Sequence, residues 1–142
     1  MPESPAQPSA PLPAVALFAV QWRVAAAFVA GLALHAIFFF RFLPYARRPL
    51  PGLPGLALLI VVMAAAAFAL ARQAPRGRAL IPLATTAALV AAQAVTIVVD
   101  CSKSPGSHDR WPLEIAMMLV WSLPAWAGAA LARVAHRQAG RA

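Results

Sequence analysis

The 142 residues are 62% hydrophobic and only 11% charged, with a mean hydropathy of +0.73. Soluble domains hold about 45–50% apolar and about 25% charged residues, so a water-soluble globular fold is all but excluded. A disulfide scaffold fails on its single cysteine and a disordered chain on its high hydrophobicity. The net charge of +8 comes from Lys and Arg residues set between apolar runs. There they mark membrane surfaces and orientation rather than contact with nucleic acid.

Residues 1–13, MPESPAQPSAPLP, carry proline at positions 2, 5, 8, 11 and 13 and have almost nothing to bury, which predicts an extended N-terminal tail. Glu3 is its only charged side chain, where a signal peptide needs a basic start, so an uncleaved N-terminus is expected. From 14 to 43 the chain is apolar except for Gln21, Arg23, His35 and Arg41. Crossing the hydrocarbon core takes roughly 20 helical residues. The first helix is therefore placed at 22–43, with Trp22 and Arg23 as interfacial anchors and 14–22 as an extension along the interface. An earlier start would immerse Arg23.

After the Pro- and Arg-rich connection 44–52, a second helix is predicted over 53–72. The basic linker RQAPRGR stops it with Pro75 and Gly77. The third helix is placed at 79–100, where Pro82 falls in the first turn and costs no hydrogen bond. The loop CSKSPGSHDRW is the most polar stretch, and the fourth helix follows at 112–135, with a kink expected at Pro124. Residues 136–142 form a short basic tail, and no internal repeat is visible.

Four spans with short connections predict an all-α integral membrane protein, a four-helix bundle of antiparallel, up-down-up-down topology, in residues 14–135. Its cohesion should come from small side chains at close contacts: Ala27 and Gly31, Ala64 to Ala67, Ala87 to Ala94, and Gly128 to Ala130. Seven basic residues fall on the side of the termini and the 72–78 linker, against five on the other. That bias places both termini in the cytoplasm of a bacterial-type inner membrane.

The residues that could carry chemistry concentrate near one membrane face. Thr86, Gln93, Thr96 and Asp100 fall on one face of the third helix, and such a stripe should turn away from lipid. His35 lies at a depth similar to Gln93 and shares a helix face with Ala27 and Gly31. The loop supplies His108, Trp111 and Glu114 in the pattern H-x-x-W-P-x-E at the mouth of the fourth helix. Asp100, Glu114, His35 and Gln93 can then converge in the outer half of the bundle. Plainer roles stand beside this one. Glu114 also suits the helix dipole after Pro112, Asp100 can end its helix in headgroup water, His35 can be an interhelical hydrogen-bonder, and the tryptophans can be interface anchors.

Cys101 has no base secured beside it, and Asp100, Cys101, His108 and Glu114 match no zinc spacing, so no metal is predicted. A single immersed histidine argues against haem, and no phosphate-cradling loop is present, so no cofactor is expected. The leading expectation is a non-enzymatic membrane protein, either an accessory subunit or a binder of a lipophilic ligand. Membrane lipids, a partner membrane subunit or a second copy are the expected partners, and nucleic acid is not. The alternative is a small enzyme doing acid–base chemistry on a lipid or isoprenoid-like substrate. In it Asp100 and Glu114 act as acid and base, His35 or Gln93 orients the substrate, and Thr96, His108 and Trp111 line the site. A proton or small-ion pathway along the third helix is the remaining alternative.

Overall fold

A computed structural model describes residues 14–39, 52–74, 77–106 and 108–140. All regular structure among them is helical: α1 (Ala14–Phe38), α2 (Leu53–Gln73), α3 (Leu80–Lys103), α4 (Trp111–Trp121) and α5 (Leu123–Ala139). Four helical segments are long and apolar enough to cross a membrane: Val20–Phe38, Leu53–Gln73, Leu80–Lys103, and α4 with α5 as Trp111–Ala139. The expected tail 1–13 and the residues 40–43 at the expected end of the first helix lie outside the described residues. At the other terminus α5 runs on to Ala139, because no helix breaker intervenes before Gly140.

The fourth of these segments, where a kink is expected at Pro124, is interrupted at Ser122. Pro124 falls in the first turn of α5 and has no amide hydrogen to offer the carbonyl four residues back. Ser122 sits between the two helices, and its hydroxyl donates to the Leu119 carbonyl at 2.7 Å. Such a bond from a hydroxyl to its own helix competes with the backbone ladder and favours a bend there.

The most extensive packing joins helices that are not neighbours in sequence, α2 with α5 and α1 with α3. Small residues permit both contacts. A Cβ built on Gly31 would lie 2.8 Å from the Ala88 methyl and 3.0 Å from the Thr85 carbonyl oxygen, so the two backbones all but touch. A Cβ on Gly128 would run into the backbone of Ala64. Along α1 and α3 the partners advance together: Ala27 with Thr85, Gly31 with Ala88, His35 with Gln93. Of the small residues singled out in the sequence, Ala27, Ala67, Ala88 and Ala129 are buried, while Ala65, Ala87, Ala91, Ala94 and Ala130 face outward. Leu59, Met63, Ile81 and Leu89 complete the core. The outer faces carry Val29, Ile37, Val61, Val95 and Val134, a surface that suits hydrocarbon.

Close backbone approach makes the glycines unequal. Gly128→Ala should destabilise the detergent-solubilised protein by about 1–3 kcal/mol, because a backbone carbonyl cannot step aside. Gly31→Ala should cost less, and Gly106→Ala, with nothing within 4 Å, almost nothing. Thermal unfolding of the three variants checks this order.

Candidate functional site

Helices α1, α3 and α4 and the α3–α4 connection all contribute hydrogen-bonding side chains, and these meet in a continuous chain. His35 comes from the last turn of α1, Gln93 from the buried face of α3, and Asp100 from one helical repeat further along α3. His108 lies in the connecting loop and Glu114 in the first turn of α4. The His35 Nε2 donates to Gln93 Oε1 at 3.0 Å, and Gln93 Nε2 donates to Glu114 Oε2 at 2.8 Å. His108 Nδ1 donates to the same carboxylate, 2.7 Å from Oε2 and 3.0 Å from Oε1. On the far edge of that ring, Nε2 lies 3.2 Å from Asp100 Oδ2.

The direction of these bonds follows from the groups themselves. A carboxylate only accepts, so the NH2 end of Gln93 must face Glu114, and its oxygen must face His35. His35 is thereby held with the proton on Nε2. The His108 side chain is 0% exposed, against 14% for Asp100 and 15% for Glu114. Burial demands a partner for each polar atom, and the bracket of two carboxylates gives one to each ring nitrogen.

Asp100, Glu114, His35 and Gln93 are thus brought together, as their placements in the sequence suggested. His108 also joins, and as the central link: it is the loop residue that bridges the two carboxylates. Its pattern position six residues before Glu114 was visible, but its burial was not, because that depends on how the loop folds back over the helix ends. Thr96 is buried beside the chain without entering it, and its hydroxyl donates to the Ala92 carbonyl at 2.9 Å. Trp111 stands outside, 56% exposed. Two contributors escaped the sequence reading. Phe39 tilts against His35 with ring centroids 5.7 Å apart and against Trp121 at 6.1 Å, forming an apolar cover. Thr85 is buried and bonds back to the Ile81 carbonyl. A buried face read at helical spacing from Thr96 through Gln93 would have found Thr85, whereas Thr86 lies half-buried and accepts from Trp126 Nε1.

Beside the chain, α1 and α3 leave a groove of about 350 Å³ between them. Phe28, Leu32, Val95 and Val99 wall it, Ala36, Ala91 and Ala92 give it room, and among the described residues His35 and Thr96 are the lining side chains able to hydrogen-bond. No described residue in its wall carries a formal charge. Asp100, His108 and Glu114 do not line it. Among the described residues no group of three His, Cys, Asp or Glu side chains is placed to hold a metal ion. The bracket explains this, since Glu114 and Asp100 address opposite edges of one imidazole and do not converge on a point.

Comparison with protein-family models, with curated proteins and with solved structures finds no match for this chain.

Because His108 stands between the carboxylates, it should be the carrier of any coupling between them. Asp100→Asn and Glu114→Gln should be non-additive by about 1–3 kcal/mol in the native background. The same pair should be additive once His108→Ala removes the bridge. Thermal unfolding in detergent across the triple-mutant cycle measures both.

Proposed function

We propose that this chain is an integral membrane protein of four antiparallel, up-down-up-down spans that binds a lipophilic molecule bearing an uncharged hydroxyl head in the groove between α1 and α3. The observation that carries this reading is the groove itself, apolar along its walls and ending on His35 and Thr96. Its volume lies at the lower end of the roughly 300–1,000 Å³ of small-molecule pockets. At hydrocarbon depth a phosphate needs a cation, and the described residues of the wall offer none. A hydroxyl suits the two polar side chains better. The Thr96 hydrogen is committed to Ala92, which leaves its oxygen lone pairs to accept. The bonds through Gln93 to Glu114 keep the His35 ring in one orientation, so the site is preorganised before the ligand arrives.

The acid–base alternative is less well supported by the same geometry. Asp100, His108 and Glu114 are separated from the groove by Gln93, whose amide neither gives nor takes a proton readily, so it positions His35 and does not relay protons to it. The same amide argues against a proton pathway. Membrane lipids are then the ligand source. The excess of basic residues beside the 72–78 linker supports placing both termini in the cytoplasm of a bacterial-type inner membrane.

A diazirine-bearing long-chain alcohol should photolabel segments 28–36 and 91–99 of the purified protein. Ala91→Phe, at an exposed groove position, should lower that labelling several-fold without changing thermal stability. Equal labelling in the variant, or by a hydrocarbon probe lacking the hydroxyl, would overturn the reading. For orientation, Cys101, half-buried at the end of α3, should react with a membrane-impermeant maleimide in intact spheroplasts. Reaction only after lysis would reverse the topology.

A further inference from the structure

The opposite end of α3 from Asp100 holds a cation with an unmet hydrogen-bonding demand. In the turn before α3, Gly77 is pressed against α1, where an added Cβ would lie 2.6 Å from Val20 Cγ1. The turn is closed by its own backbone bonds, Gly77 N to the Ala74 carbonyl at 3.1 Å and Leu80 N to the Gly77 carbonyl at 2.9 Å. Arg78 is thereby held at the seam between α1 and α3. Its Nε and Nη2 are both buried and neither has a hydrogen-bond partner, although the residue as a whole is partly exposed. These two nitrogens form one side edge of the guanidinium. Their N–H bonds run parallel and are spaced to meet two oxygens of a single phosphate or carboxylate.

The chain does not supply that anion from its described residues. Asp100, Asp109 and Glu114 all lie at or beyond the other end of α3. Arg72 closes α2 just before this turn, and one turn past Val20 on α1 stands Arg23, stacked 5.0 Å over the Trp22 ring. A tryptophan stacked on an arginine is the pairing found at headgroup depth, where the apolar ring meets phosphates. A zwitterionic headgroup would bring its own cation into this basic setting, and an anionic one would not.

We propose that the side edge of Arg78 binds the phosphate of an anionic phospholipid from the leaflet at this end of the bundle. The site depends on the chain spanning a membrane but not on the α1–α3 groove, so the photolabelling result and the result below are independent.

The test uses the full chain in detergent, with thermal unfolding followed as phosphatidylglycerol, phosphatidylcholine or inorganic phosphate is added. Phosphatidylglycerol should raise the melting temperature by several degrees, and the other two should not. Arg78→Gln should lose most of that shift. Arg78→Lys should keep only part of it, since an ammonium is a point charge without the parallel fork. Arg72→Gln, at an exposed arginine of the same end, should keep all of it. An undiminished shift in Arg78→Gln, an equal loss in Arg72→Gln, or a matching shift with inorganic phosphate would each overturn the proposal. If Arg78→Gln does not fold, native mass spectrometry of Arg78→Lys decides. Fewer phosphatidylglycerol adducts than the native protein support the site, and equal numbers refute it.

Discussion

A primary amide has one end that only donates and one that only accepts, and in Gln93 those ends face two different helices. Everything around the polar chain depends on that asymmetry. Turned the other way, the amide would set its oxygen against the Glu114 carboxylate, acceptor against acceptor. The helices would then be pushed apart at the point where they now join. In an apolar interior such an error cannot be repaired by water, so a single residue fixes the tautomer of His35, the seat of Glu114 and the relative placement of α1, α3 and α4.

The small residues serve the same end. His35 can reach Gln93 only because Gly31, one turn earlier, lets the backbones of α1 and α3 meet at Ala88. The groove beside His35 runs along the same pair of helices. The polar contact and the apolar space thus lie next to each other on α1 and α3. Shape and chemistry at this place both belong to the pairing of these two helices.

Much of this arrangement could be read from the residues in order. Hydropathy and helical rise located the apolar helices and put His35 and Gln93 at matching depth, since both depend on local spacing alone. The stripe through Gln93 and Asp100 was visible for the same reason. What could not be read was set by distant partners. The pairing of α1 with α3 and of α2 with α5 turns on which small residues face one another, and alanine is too abundant here to identify a face: Ala88 is buried while Ala87 and Ala91 are not. The burial of His108 requires a loop to fold back over two helix ends. Arg78 looked like one more linker arginine until the turn at Gly77 was seen pressed against Val20. Pro124 announced an irregularity, but not that Ser122 would take part in it.

The interruption at Ser122 has a mechanical meaning. Below it, α5 is bound along its length to α2 through Gly128 and a run of buried alanines. Above it, α4 fully buries only Met118 and is held by its packing on α3, by the Trp121–Phe39 contact and by the Glu114 carboxylate. The fourth apolar segment is therefore a fixed post carrying a lightly buried arm, with a joint of one residue and a polar clasp at the tip. Releasing the clasp would free the arm without disturbing the post, so opening at this end is a smaller event than unfolding of the bundle. On this basis amide protons of α4 should exchange sooner than those of α5, although both lie in what the sequence presents as a single span.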